Sequence, residues 1–462
     1  MARFALPVRS YKHRATQASP ARIVNCIAES LPPDAKTPMV LVRLPGIASF
    51  ATPGNGPIRG MHAAFGDLFA VSGSGLYRID SSGTETLIGA IPGVGAVCMA
   101  HNRASIVIVA QPDAYWSDGV SGVTQITDAD FTSRGAKYVR FLDNYMLFME
   151  PGTDRFFGAE VGTVDDFDAL DFASAEGSPD NLIGFEVDHR QAVLLGDESG
   201  ELYENTGVAG FPFERAINGF FEVGCFNGDT IVKLDNSVVW VANDYTIRRL
   251  QGVTPQRIST HAVEQFLTGS DVSTLRAFSY SQDGHFFYVL CCSTGCWSYD
   301  VTSGEWAERE TYPNHYYEWQ FHASAHGRQY VGNAYSNAVG DFDPETYAEN
   351  GGIQRMEWTY QPIYAESRLA FHDRLEVVLE YGVGLVTGQG SDPEIMLSYS
   401  DDGGKTWRNL PNRKFGKMGE YRRTVSWVGL GSSKMRVYRC AISDPVQVAV
   451  TDTQVEVRQG RL

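Results

Sequence analysis

Ser400, Asp402, Gly404, Thr406 and Trp407 spell S-x-D-x-G-x-T-W, the Asp-box pattern. The chemistry of these types at this spacing is local. Ser and Asp side chains bond turn amides, Gly relieves crowding, and Trp packs over the hairpin. The pattern specifies a turn and is nearly silent about activity. To hydrolyse a glycoside the chain would also need an arginine cluster for a carboxylate and a Tyr/Glu nucleophile pair. Arginines are abundant, but nothing in the sequence groups three of them.

Other candidates read more plainly as structure. Asp165, Asp166, Asp168 and Asp171 could surround Ca2+ with oxygens, but they lack the spacing and central glycine of a known loop. A solvated loop is the expectation, and Asp341, Asp343 and Glu345 read the same way. His322 and His326 are four apart, a metal spacing on a helix, yet they straddle a strand–turn segment where four residues do not converge. Cys291, Cys292 and Cys296 form C-C-x3-C, which is not zinc spacing, and neighbouring cysteines on a strand point to opposite faces. Free buried thiols are expected. Tyr312, Tyr316, Tyr317 and Trp319 read as blade packing, with an interface as the alternative. No HExxH, P-loop or nucleotide-binding glycine pattern occurs. We therefore expect no catalytic, cofactor-binding or metal residues and no cofactor; the Asp-box is a structural site.

The elements that hold these residues repeat. LFAVSGSGLYRID from Leu68, IVIVAQPDAYWSDG from Ile106, MLFMEPGTDRFFGAE from Met146 and VLLGDESGELYENTG from Val193 each read strand, turn, strand. VVWVANDYTIRRLQG from Val238, FFYVLCCSTGCWSYD from Phe286 and QYVGNAYSNAVGDFD from Gln329 continue the series. The start-to-start steps are 38, 40, 47, 45, 48 and 43 residues. A period in the forties with about four short strands per period is one propeller blade. Seven blades are expected, six being the alternative because the unit from Gln329 is poorest in apolar residues. A helix is expected at His261–Leu267, after Ser259 or Thr260 with Glu264 downstream.

Residues 1–56 read as an irregular leader broken by Pro32, Pro33, Pro45 and Pro53. It holds two strand candidates, Arg22–Ala28 and Val40–Leu44, one of which could complete the last blade. Residues 57–352 are the propeller. Beyond the boundary YAENGG, residues 353–462 carry longer strands spaced as a β-sandwich. The fold class is thus all-β, a propeller followed by a sandwich. No apolar run approaches the roughly 20 residues that span a bilayer, and the N-terminus has no secretory h-region. Synthesis in a cytosol is expected. A net charge of −17 argues against wrapping DNA over the whole surface, though it suits a wall past which a polyanion slides.

FASAEGSPDNLIGF (Phe172–Phe185), VLLGDESGELYENTG, PQRISTHAVEQFL (Pro255–Leu267) and SYSQDGHFFYVL (Ser279–Leu290) with WSYDVTSGEWAER closely resemble the tail hub, or nozzle, proteins of short-tailed phages. These are also called packaged-DNA stabilisation proteins or tail accessory factors. VNCIAESLPPDA and LVRLPGIASF resemble the family's opening, so the likeness runs over about 24–310, roughly 60% of the chain. The resemblance implies a non-enzymatic virion part that forms a six-fold ring beneath the portal and its adaptor. The ring would continue the DNA channel, retain the genome, and hold tail fibres or spikes and a needle or plug. DNA would pass without sequence-specific binding, and the chain would insert in no membrane. It implies no catalytic residues. The alternatives are a carbohydrate-active, sialidase-like propeller and a generic ligand-binding propeller.

Overall fold

The computed structural model describes residues 2–365 and 368–460. Seven four-stranded antiparallel sheets stand side by side, and each inner strand contacts the next until the seventh returns to the first. The inner strands are Ile58–Ala64, Cys98–His101, Val139–Leu142, Leu182–Asp188, Val232–Lys233, Arg276–Gln282 and Trp319–Ala325.

The apolar runs explain why the ring forms. Ile106–Ala110 is buried along most of its length because both of its faces meet a neighbouring blade. Ile106 and Ile108 pack toward blade one with Phe69 and Val71; Val107 and Val109 pack toward blade three with Met146 and Phe148. Leu68 and Ala70 likewise face blade seven while Phe69 and Val71 face blade two. A strand buried on both faces needs no polar alternation. Seven apolar clusters fill the seven gaps between blades, and an eighth fills the sandwich.

The leader is built into the sheets instead of lying irregularly beside them. Blade seven takes three strands from Trp319–Asp343, and its fourth, outermost strand is Gly46–Ala51 of the leader. The leader therefore does complete the last blade, but with a segment beyond both of its expected strand candidates. Those candidates go elsewhere. Pro20–Val24 runs parallel to the outer strand of blade six at Glu308 and antiparallel to Met356–Thr359. Met39–Arg43 pairs with Cys26–Ser30 and with Ala449–Gln459. The prolines that read as breaks, Pro32, Pro33 and Pro45, fall in the turns between these strands.

The sandwich packs two sheets over Trp358, Leu375, Leu397, Trp427 and Tyr438. One sheet runs Cys26–Ser30, Met39–Arg43, Ala449–Gln459, Ala370–Leu379, Val425–Val428. The other runs Pro20–Val24, Met356–Thr359, Met435–Ile442, Glu394–Ser400, and is continuous with blade six. Two helices are present among the described residues. His261–Thr268 is the expected one, its entry held by Ser259, whose hydroxyl donates to Glu264 at 2.7 Å. Ala129–Arg134 was not anticipated; Asp128 caps it and Gly135 ends it, a signature present in DADFTSRG.

Glu349 sits where the closing strand meets the link to the sandwich. It is buried, and one of its carboxyl oxygens accepts from Trp319 Nε1 at 2.9 Å and Thr311 Oγ1 at 2.5 Å. Burial pushes its pKa up to about 7 in spite of both donors. The folded state then holds a proton that the unfolded chain releases near pH 4.3. This contribution to stability is full below about pH 4, and is lost as pH rises through 7. Over that window it is worth on the order of 3 kcal/mol. Glu349→Gln should flatten the fall in thermal midpoint between pH 5 and 8, read by calorimetry.

Candidate functional site: the propeller axis and the sandwich junction

Side chains from the inner strands meet at the axis. His62 Nε2 and His101 Nδ1 lie 2.7 Å apart, and burial, with His101 beside it, holds His62 neutral with a pKa near 3. Arg140 donates to Glu186 at 2.9 Å and to the Cys98 sulfur at 2.7 Å. Arg276 stacks over the Phe321 ring at 4.5 Å, with Asp229 at 4.0 Å. Tyr138 donates its hydroxyl to Asp229 at 2.9 Å, and burial followed by that carboxylate raises its pKa far above the ordinary value. Arg59, at one mouth, donates to the carbonyls of Gly95, Gly73, Ile91 and Pro92. Glycosidase chemistry would ask for arginines free to take a carboxylate beside an activated tyrosine. Here each arginine has a protein partner and the tyrosine is held protonated. The space along the axis is two adjoining cavities of about 210 and 440 Å3 that share Cys98, Tyr138, Asp229 and Arg276 in their walls.

A second polar centre joins propeller to sandwich. Arg22, on the leader strand between the two, spreads its guanidinium over three carboxylates. Nε donates to Glu308 at 2.7 Å, Nη1 to Glu357 at 3.3 Å, and Nη2 to Glu310. Glu308 and Glu310 come from blade six and Glu357 from the sandwich. Arg355 donates to Glu357 at 2.5 Å and Arg439 lies 3.9 Å from it. A cleft of about 620 Å3 opens beside this network, between the leader turn at Lys12–Thr16, the helix residue Phe266 and the Asp-box turn. Sequence reasoning missed the network. The available signal was Trp306, Glu308 and Glu310 at period two, which puts both acids on one side of a strand.

The Asp-box residues do assemble. Ser400 donates to Asp402 at 2.7 Å and accepts from the Gly404 amide at 2.8 Å. Asp402 also accepts from the amides of Lys405 and Thr406, both at 2.9 Å, and from the Thr406 hydroxyl at 2.5 Å. Those bonds, Ser400's first, hold its carboxyl well below the usual range. Gly404 has φ +90°, which favours glycine, and Trp407 donates to its carbonyl at 3.1 Å. Arg439 stacks on Trp407 at 4.1 Å, and the leader's Gln17 abuts Gly403. The motif thus props the leader turn against the sandwich. Asp402→Ala should speed hydrogen exchange at the Lys405 and Thr406 amides and leave blade amides unchanged.

The segments that carried the phage resemblance interlock. Asp180 of GSPDNL accepts from the Glu198 and Ser199 amides at 2.8 and 2.9 Å. Buried Glu201 accepts from the Gly177 amide at 2.6 Å. Arg257 and Ser259 of RIST both bind Glu264.

The remaining candidates do not converge. His322 bonds Gln329 at 2.8 Å, whereas His326 faces Tyr330 at 3.3 Å. Asp341 pairs with Arg328 at 2.9 Å, and Asp343 accepts from the Glu345 amide at 3.0 Å. Asp168 accepts from the Leu170 amide at 2.8 Å in an exposed loop. Tyr317 and Trp319 are buried, while the Tyr316 ring lies tilted against Tyr335, centroids 5.2 Å apart. Among the described residues no cluster of His, Cys, Asp or Glu has metal-binding geometry, and no helix is long and apolar enough to cross a membrane.

Comparison with known proteins gives two adjoining matches. The family profile described as "Bacteriophage P22 Gp10, beta-propeller" matches residues 14–347, and "Bacteriophage P22 Gp10, beta-sandwich" matches residues 356–458. No curated protein sequence matches. Among solved structures, streptogramin B lyase is similar at 11% identity, with 64% of this chain and 96% of that one covered and a TM-score of 0.44. The computationally designed Ika8 protein is similar at 15% identity, 73% and 99% coverage, and TM-score 0.41. The Pan2 WD40 domain of Neurospora crassa is similar at 9% identity, 65% and 94% coverage, and TM-score 0.43.

Proposed function

The chain belongs to the bacteriophage P22 Gp10 family, and from that membership we propose that it is a structural protein of a phage tail, acting by assembly and not by catalysis. The observation that carries this reading is the pair of matches in order, propeller then sandwich, over nearly the whole chain. The proposed role is a hub or nozzle. Copies form a six-fold ring beneath the portal and adaptor, continue the DNA channel and retain the packaged genome. The outer surfaces take fibres or spikes, and the distal end takes a needle or plug. The protein is made in the host cytoplasm and resides in the virion.

Two features support a channel bounded by several copies. Paired side chains, His62 with His101 and Arg140 with Glu186, occupy the propeller axis, so the DNA path is placed outside the single chain. Six copies at −17 would carry a charge of about −100, a wall that repels DNA and lets it slide. Retention then requires a narrow gate or plug. Ring contacts would be heterologous and close by rotation. The leader and the segments 165–180 and 207–219, which run into the fourth strands of blades three and four, are proposed contacts; the two segments expose Leu170, Val208 and Ile217.

The test is to mix the purified full chain with a dodecameric portal–adaptor complex and image the particles. Six-fold density beneath the adaptor is expected. Particles that never acquire it, or measurable turnover of a sialyl substrate by the free protein, overturn the reading.

A further inference from the structure

We propose that Cys291 and Cys296 are a modification site, a cross-strand disulfide that closes in blade six when the chain meets a low-molecular-weight disulfide. The two residues are direct partners across the hairpin His285–Cys292 and Gly295–Asp300. The two-residue turn Ser293–Thr294 makes Cys292 and Gly295 the closing pair, which exchanges backbone hydrogen bonds. The next pair, Cys291 and Cys296, is then a non-hydrogen-bonded one, where cross-strand side chains stand closest. That separation matches the Cα and Cβ distances that a disulfide tolerates. Their sulfurs lie 2.6 Å apart.

The pairing is selective. Cys291 and Cys296 share the apolar cluster between blades six and seven, whereas Cys292 lies on the other face, in the cluster toward blade five. Cys292 turns its sulfur to Thr294 Oγ1 at 3.1 Å. Both thiols are buried, and Thr294, Gly295 and Cys296 border the 620 Å3 cleft at the sandwich junction, so the reagent reaches the pair from that cleft when the turn end of the hairpin opens. Burial, followed by Cys291, holds the Cys296 thiol well above its usual pKa, so thiolate is scarce and closure is slow.

The step balances with oxidised glutathione as the co-reactant. The Cys296 thiolate attacks one glutathione sulfur and forms a mixed disulfide, and the displaced glutathione thiolate takes up the proton that Cys296 lost. The Cys291 thiolate then attacks the Cys296 sulfur and expels the second glutathione thiol, which takes the second proton. Two protein thiols are oxidised and one small disulfide is reduced. The product staples the blade that carries the sandwich.

The experiment incubates the full chain overnight with oxidised glutathione at about pH 8, quenches with acid, denatures, and labels with N-ethylmaleimide. The seven free thiols should fall to five labels by intact mass. Digestion should place a link about 2 Da lighter within Phe286–Asp300. Dithiothreitol should restore seven labels. Cys292→Ser should still close the link and lose one label. Seven labels after oxidation, a stable glutathione adduct in place of the link, or a link through Cys292 overturns the proposal.

Discussion

Arg22→Ala is expected to lower the stability of the junction by about 3 kcal/mol, at the lower edge for breaking a buried ion pair. The cost is not one lost contact. Three carboxylates from two domains converge on a single guanidinium, with Glu357 nearly buried and Glu308 and Glu310 mostly so. Without Arg22, Arg355 and Arg439 still reach Glu357. Of the acids on blade six, Glu310 keeps only the exposed His315 at 3.4 Å. Removing the shared cation leaves like charges facing one another in a partly buried site, which is where the cost arises. Arg22→Lys should recover only part of the loss, because one ammonium cannot place a separate nitrogen on each of three acids. Urea unfolding at pH 7, followed by tryptophan fluorescence, reads both variants. An Arg22→Ala variant as stable as wild type, or a lysine variant equal to wild type, would sink this account.

The same junction shows where sequence stops being informative. Hairpins inside a blade are local: turn glycines and apolar runs such as VVWVA and IVIVA lie within about 20 residues of their partners, so their period of some 40 residues is visible. The sandwich strands were legible for the same reason; residues 353–462 do carry longer strands, among them Ala370–Leu379 and Glu394–Ser400. Pairing across the whole chain leaves no such mark. Gly46–Ala51 finds Val339–Asp343 nearly 300 residues away, and GIASFA is less apolar than the two leader strands that read more strongly. The register of Gly46–Ala51 depends on space in the partner. Gly340 leaves room for Ile47, whose methyl would lie 2.1 Å from an added Cβ, and Gly46 itself fits against the backbone of Thr346 and Ala348. Single-letter patterns do not encode that fit. The Asp-box was legible as a turn, but that it supports the leader follows only from the loop laid across it.

A chain lacking residues 1–52 is expected to yield no soluble folded protein, although residues 57–352 and 353–462 look self-sufficient on the page of sequence. Three sheets lose strands at once. Blade seven loses its outer strand, and Val339–Asp343 becomes an open edge, a template for aggregation. The sandwich loses Cys26–Ser30 and Met39–Arg43, and its core loses Leu6, Ile23, Cys26, Ala28 and Leu41. Each fully buried aliphatic is worth roughly 1.5–3 kcal/mol. Leu6, Ile23 and Leu41 alone therefore reach roughly 5–9 kcal/mol, within the roughly 5–15 kcal/mol that stabilises a typical domain. The truncation also strands Glu308, Glu310 and Glu357 without Arg22, and removes Arg43, whose guanidinium donates to Val446 O at 3.0 Å and Gln354 Oε1 at 3.2 Å. Soluble yield and gel-filtration behaviour check the expectation. Deleting only residues 2–9 should cost less, since it removes Leu6, Phe4 and Val8 from the sandwich core but, of the sheets, only the two-residue Ala2–Arg3 pairing on Ala449–Gln459. Gly46→Val isolates closure from chain length: any Cβ there meets Ala348 O at 2.2 Å, so the outer strand must detach while the sandwich strands remain. Faster hydrogen exchange confined to Gly46–Ala51 and blade seven is the expected signature. Protection unchanged from wild type would show that the ring closes without its leader strand, and that the two domains are separable parts after all.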